Sequence, residues 1–368
     1  MKSSFYILLV FLVSTSCNVE NKNQQHISLE NEVFELKINP QGGAFSYISP
    51  RDSEMNFLSW KLEQDQMPQN NRPGAPFQGH FLCYGRWGAP TEGEIEAGIP
   101  HNGDHNNRIW EVEKSADTRS LTMKVKAKKD QVDIVREIFL SEEQALFKVR
   151  ETFEHRSAIG RLCNIVQHVT LGPPFLNSSL QIFSNCEQGF LQANSFPDPT
   201  SNEYTWPEAK DENGSSFDLR KFQSRRNFVS THIINDSYGW VLAIDSLSKY
   251  YIGYVWKTED YPWVNFWNHN KESRPVAYGM EFGTTGIGRP YPELVENNVF
   301  FHGRNSYFFM DAGQKISKEY FGFTGMLKDS NFVVKDIKFD SLITIIFKSS
   351  EKKAFYSVNY RLDNLIDN

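Results

Sequence analysis

Two apolar runs in this chain each carry one ionisable side chain: His168 in CNIVQHVTLGPPFL and Glu281 in AYGMEFGTTG. An isolated imidazole or carboxylate is costly to bury unless something pairs with it. If both runs are strands that face one cavity, the two groups form an acid/base pair suited to a small polar substrate. Glu281 stands between Met280 and Phe282, where desolvation raises a carboxyl pKa and makes it a better base near neutrality. The competing readings are a satisfied core histidine and a strand-end glutamate that faces water.

Other stretches hold groups that bind rather than react. The segment GHFLCYGRWGAPTEGEIEAGIPHNGDHNNR gathers Arg86, Trp87, Glu92, Glu94, His101, Asp104, His105 and Arg108 among glycines and prolines. Polar and aromatic groups on such a loop suit a polyol, with forked donors for hydroxyls and flat faces for a ring. The plain alternative is a solvated surface loop. A metal reading through His101, Asp104 and His105 needs a helix, which Pro100 and Gly103 oppose, so no metal is expected. The run YPWVNFWN sets Trp263 and Trp267 beside amides, as a sugar-facing wall or an ordinary core edge. Arg86, Arg108 and Arg289 together suggest an anionic sugar such as a uronic acid. No G-x-S-x-G, phosphate loop or dinucleotide fingerprint is present, which removes support for serine-nucleophile and nucleotide chemistry.

The elements that must position these groups are strands. Alternating or continuous apolar runs predict strands near 33–38, 121–127, 132–140, 145–153, 228–234, 239–245, 250–256, 299–310, 332–339 and 342–347. Helical spacing is best over 317–327. Residues 64–108 and 191–226 read as long irregular segments, which in a sandwich cover or build a site. So many strands with turns between them predict an all-β sandwich in one large domain over 27–368.

A net charge of −6 and the lack of a basic stripe argue against nucleic acid as a partner. Aromatic residues make up 14% of the chain, enough either to line a sugar site or to fill a sandwich core. Beyond Cys17 the cysteines are Cys83, Cys163 and Cys186; an odd, widely spaced set is no disulfide framework.

The N-terminus reads as a leader. Lys2 is followed by an apolar run over 5–13 and then Ser14, Thr15, Ser16 and Cys17, a secretory signal too short to span a bilayer permanently. A cysteine after small residues resembles a bacterial lipoprotein cleavage site. It implies a signal over 1–17, lipidation of Cys17, a polar tether over 18–26, and a membrane-anchored protein exported to the periplasm or outer membrane.

The order of features along 27–368 is an opening strand with a Gly42-Gly43 turn, a Pro100-His101-Asn102-Gly103 loop with Arg86 upstream, a central strand histidine, and a late Met280-Glu281-Phe282-Gly283. That order resembles the galactose mutarotase-like (aldose 1-epimerase) superfamily. The resemblance implies a large antiparallel β-supersandwich and a cofactor-free isomerase that interconverts the α and β anomers of an aldose. His168 would be the acid and Glu281 the base, acting on a monosaccharide or oligosaccharide. His101 would hold a sugar hydroxyl and Arg86 would orient the ring, with Trp263, Trp267 and Arg289 as further substrate-binding residues. The aspartate that such enzymes carry between the histidine and the glutamate has Asp260 as its candidate here. A carbohydrate-binding protein without catalysis is the first alternative. A polysaccharide lyase or glycoside hydrolase is the second, with Glu92, Glu94 or Asp104 as its second carboxylate.

Overall fold

The computed structural model describes residues 26–115, 117–328, 332–349, 355–362 and 365. The leader over 1–17, with Cys17, and the tether up to residue 25 lie outside the described residues. Two large antiparallel sheets dominate. The ten-stranded sheet begins at one edge with Ile27–Glu30, Phe34–Ile38, Phe45–Pro50 and His80–Tyr84. It continues through Ile165–Leu171, Arg274–Gly283 and Trp263–Lys271, and ends with Phe228–Ile233, Gln188–Leu191 and Tyr204–Thr205. The eight-stranded sheet runs Leu180–Ser184, Tyr238–Asp245, Tyr250–Lys257, Lys315–Met326, Leu146–His155, Val132–Leu140, Ser120–Ala127 and Glu111–Lys114. Between them lies the main core, to which Phe45, Leu82, Val169, Val264, Met280 and Phe282 point from one side and Val241, Tyr254, Trp256 and Tyr320 from the other.

A third layer explains why several strands lack clean alternation. The strands Phe332–Phe339, Leu342–Ser349 and Phe355–Arg361 form a small antiparallel sheet. Its Ile343, Ile345 and Phe347 pack with Leu242, Ile244, Phe321 and Phe323, which stand on the opposite face of the eight-stranded sheet from Val241, Ala243 and Tyr320. Strands covered on both faces read as continuous apolar runs, as GWVLAID and YIGYVW do.

That two-sided burial also overturns the helix expected over 317–327. Lys315–Met326 is a twelve-residue strand, paired over 315–323 with Leu146–His155 on one side and over 320–326 with Tyr250–Lys257 on the other. Tyr320 faces the main core while Phe321 and Phe323 face the C-terminal sheet, a spacing that imitates helical periodicity. Residues 299–310 form three short pieces, Phe300–Phe301, Arg304–Asn305 and Phe308–Met310, rather than one strand. The supposedly irregular 64–108 contains the His80–Tyr84 strand at the centre of the large sheet, and a short helix at Glu92–Glu96.

Candidate active site

Strand register brings His168 and Glu281 together. Gln167 pairs with Phe282 and Thr170 with Gly279, so His168 stands opposite Glu281 on adjacent strands. The same row continues to Phe81 beyond His168, and to Asn265 and Thr231 beyond Glu281. Directly opposed residues in an antiparallel sheet share a face, so this row lies on the side away from the main core. The neighbours Met280 and Phe282 point the other way, into that core. They are therefore not what desolvates Glu281, contrary to the sequence reading.

What surrounds the pair is aromatic. The His168 ring stacks on Phe81 at 4.3 Å between centroids and meets the edge of Trp267 at 5.9 Å. Phe77 stacks on Phe81, and Trp60 abuts Trp267 edge-on. His168 Nε2 lies 3.3 Å from Glu281 Oε1, with the His168 side chain 12% exposed and that of Glu281 2% exposed. On its other side the imidazole shares a hydrogen bond between Nδ1 and Thr170 Oγ1 at 2.8 Å. The second carboxyl oxygen, Oε2, accepts a 2.8 Å hydrogen bond from the Trp87 indole N–H. Among the described residues His168 is the only cationic or potentially cationic group within 4 Å of Glu281.

Each member of the pair is driven toward its neutral form. Burial pushes Glu281 up to about 8, opposed in part by the Trp87 hydrogen bond. Burial pushes His168 down to about 3. The pair thus holds one shared proton over a wide range around neutrality, and its titration belongs to the pair rather than to either residue. One group can give a proton while its neighbour takes one, which is what moving a proton between two oxygens of a small polar substrate requires.

Small residues make room for this geometry. Gly279 and Gly283 flank Glu281 on the same face. A Cβ on Gly279 would stand 2.7 Å from Glu281 Oε1, so any side chain there would displace the carboxyl. On the far side, Thr231 Oγ1 and Gln192 Nε2 each lie 2.9 Å from the Gly286 carbonyl as donors. These contacts lock the TTGIG segment over the end of the row.

The other expected binding residues have different fates. Trp267 joins the aromatic wall of the pair. Trp263 shares the face but is 0% exposed, lies under Gly286 and gives its indole N–H to the Asn305 carbonyl. Arg86 is 6% exposed and spends its fork on Glu94, with both N–H···O contacts at 2.5 Å. That clamp, with the Thr91–Glu94 capping box, shapes the loop that carries Trp87. His101 is half-buried, its backbone N–H and C=O both bonded to the Asn71 side chain. Burial, followed by the Arg86 charge, lowers its pKa, and it makes no hydrogen bond to either member of the pair. Arg289 lies 3.7 Å from Glu293 at 46% side-chain exposure, with its guanidinium over Phe196.

Groups entertained for other chemistry are committed elsewhere. His105 is fully buried, with Nε2 2.9 Å from the Leu82 carbonyl. Asp104 accepts from Arg108 at 2.7 Å and from the Lys129 backbone at 3.1 Å. Asp260 faces Lys318 at 3.6 Å in a separate groove of about 600 Å³ that Arg304, Tyr307 and Phe308 also line. Sequence reasoning missed Phe81, Thr170 and Gly279, and named Trp87 only as a member of the site loop, without its bond to Glu281. The five-residue HFLCY run was the one signal for the strand that carries Phe81.

No protein-family model matches the chain, and no curated protein does. Solved structures do. A galactose mutarotase related enzyme from Lactobacillus acidophilus superposes with a TM-score of 0.59 at 11% identity, over 83% of this chain and 99% of that one. A proposed aldose 1-epimerase from Escherichia coli K12 gives 0.58 at 10% identity, over 82% of this chain and 99% of that one. A galactose mutarotase-like protein from Clostridium acetobutylicum gives 0.54 at 12% identity, over 82% and 95%. The fold is galactose mutarotase-like. In this mutarotase-like sandwich the His168–Glu281 row occupies the face of the ten-stranded sheet turned away from the main core.

Proposed function

We propose that the protein interconverts the α and β anomers of an aldose, with His168 and Glu281 as the acid/base pair. The observation that carries the reading is their placement: adjacent strands, 3.3 Å apart, on an aromatic-walled face. Burial favours the state with Glu281 protonated and His168 neutral. Ring opening then has Glu281 protonate the ring oxygen while His168 takes the anomeric hydroxyl proton. This reverses the roles expected from the sequence. Rotation about C1–C2 presents the other face of the aldehyde. Reclosure returns the His168 proton to the carbonyl oxygen and the ring hydroxyl proton to Glu281, which restores the resting pair. No cofactor is needed for this cycle.

Trp267 and Trp87 supply flat faces for the C–H side of a sugar ring, with Phe81 buried behind them against His168. Of the three arginines that suggested a uronic acid, Arg86 and Arg108 are already paired, and only Arg289, loosely placed near Glu293, remains for a carboxylate. Glu94 and Asp104 are engaged by those two arginines, which weakens the hydrolase and lyase readings. Lipidation at Cys17 and export to the periplasm or outer membrane remain part of the proposal, tested by mass spectrometry of the mature N-terminus.

The test is anomer exchange by NMR over a panel of neutral and acidic monosaccharides. Exchange above buffer that both His168→Asn and Glu281→Gln abolish supports the reading and names the sugar. Saturable sugar binding without exchange would assign the site to glycan capture instead, and shortened oligosaccharides would assign it to cleavage.

A further inference from the structure

Glu281 is gripped from two sides, by His168 at Oε1 (3.3 Å) and by the Trp87 indole at Oε2 (2.8 Å). With both oxygens taken and the residue 1% exposed, no substrate oxygen reaches the carboxyl until one partner moves. His168 is fixed: it sits on a strand paired on both sides, stacks on Phe81 and bonds Thr170. Trp87 is different. It stands between Gly85 and Gly88, whose φ angles of 80° and 98° belong to turns rather than strands.

The backbone around Trp87 is nonetheless pinned. The Tyr291 hydroxyl donates to the Gly85 carbonyl, Arg86 grips Glu94, and Gly88 N–H donates to Asn102 Oδ1 at 2.8 Å. A fixed backbone with a half-buried indole leaves the side-chain torsions as the degree of freedom. A Cβ on Gly88 would meet nothing within 4 Å, so the side of the loop next to Trp87 is open there.

We propose that Trp87 is a displaceable clamp on Glu281: its indole N–H holds the resting carboxyl against His168, and it swings away when a ligand engages the pair. Indole is a donor only, so it orients the carboxyl without competing for the shared proton. Once released, it offers its ring face to the ligand. The ligand half of the proposal rests on the sugar reading above; the clamp half does not. Trp87 is thus a positioning residue. The titratable groups facing Glu281 are His168 across the strand pair and the Cys83 thiol, whose own pKa is raised by burial and by Glu281.

The experiment labels the full chain with 5-fluorotryptophan, whose eight indoles give eight resolvable fluorine positions, and assigns Trp87 by its loss in Trp87→Phe. The Trp87 signal is expected to titrate near pH 8 without any ligand, and to stop titrating in Glu281→Gln. Removal of the donor in Trp87→Phe should move the alkaline limb of the activity profile up by about one unit, the scale of a hydrogen bond to a charged group. A merely structural aromatic would not move that limb. A saturating sugar should shift the Trp87 signal in wild type. A Trp87 signal indifferent to pH and to Glu281→Gln overturns the clamp even if sugars are turned over. Sugar turnover without a Trp87 shift overturns the displacement. Intact titration with no exchange on any sugar retires the mutarotase reading and leaves the clamp standing.

Discussion

One strand, Ile165–Leu171, puts a buried polar cluster on each of its faces, and the two clusters have opposite characters. Gln167 points into the main core. There its Nε2 donates to Glu151 Oε2 at 2.6 Å, and its Oε1 meets His80 at 3.1 Å. Glu151 in turn holds Arg136 through a 2.7 Å ion pair at under 3% exposure for both side chains. Arg136 also lies over the rings of Phe45 and Trp110. In this cluster a fixed cation neutralises a fixed anion. His168, one residue along, faces the other way. Its partner Glu281 has no arginine or lysine within ion-pair distance among the described residues, so burial drives both groups toward neutrality. His80 and His168 are both pushed down to about 3, so depression of a histidine does not by itself mark chemistry. The difference lies in the partner: a saturated amide for His80, a protonatable carboxyl for His168.

That contrast predicts that damage on the two faces separates into activity and stability. The largest effect belongs to the site: His168→Asn and Glu281→Gln should each cut anomer exchange by about 10²–10⁴-fold while leaving urea midpoints at pH 5 near wild type. Equal losses of stability and activity in both would erase the distinction. On the core face, Glu151→Ala strands the Arg136 charge and should cost about 3–5 kcal/mol in equilibrium unfolding, with exchange by the folded protein little changed. Gly279→Ala is intermediate. Its methyl presses on Glu281 Oε1 and should reduce exchange about tenfold, within the roughly 1–3 kcal/mol of ordinary overpacking.

The last effect is in pH dependence. Glu281 has a folded pKa near 8, raised above its unfolded value, so the folded state binds the extra proton between the two. Wild-type stability therefore falls as pH rises from about 4.5 toward 8 on account of this group. Glu281→Gln lacks that loss, so its melting temperature should gain on wild type from pH 5 to pH 8. A constant difference would place Glu281 outside a low-dielectric site. Exchange activity, for its part, should decline above pH 8 as the pair loses its proton.

Much of the fold was legible because most strands carry their own signal. VDIVREIFL alternates cleanly and is a strand over those nine residues, Val132–Leu140. LTMKVKA and YYIGYVWK fall within a residue of their expected ends. The failures share a cause. His80–Tyr84 and the 320–324 stretch of Lys315–Met326 are buried on both faces, so alternation vanishes and the local pattern turns ambiguous. At the site, His168 and Glu281 were visible as ionisable groups in apolar runs. Arg86 was visible as a forked donor, but its acceptor proved to be Glu94, eight residues away on a small helix.

The sequence by itself determined the chemistry available: an imidazole and a carboxyl in strands, aromatic residues enough to wall them, and glycines beside the carboxyl. Only the tertiary structure decided that His168 faces Glu281, that Trp87 closes on it, and that Trp263 and Arg86 serve the scaffold. The physical reason is register. A strand's own residues fix which side chains share a face, but its partner and offset are set by contacts between segments far apart in the chain. A one-residue slip would have turned Gln167 outward and buried His168 in the core.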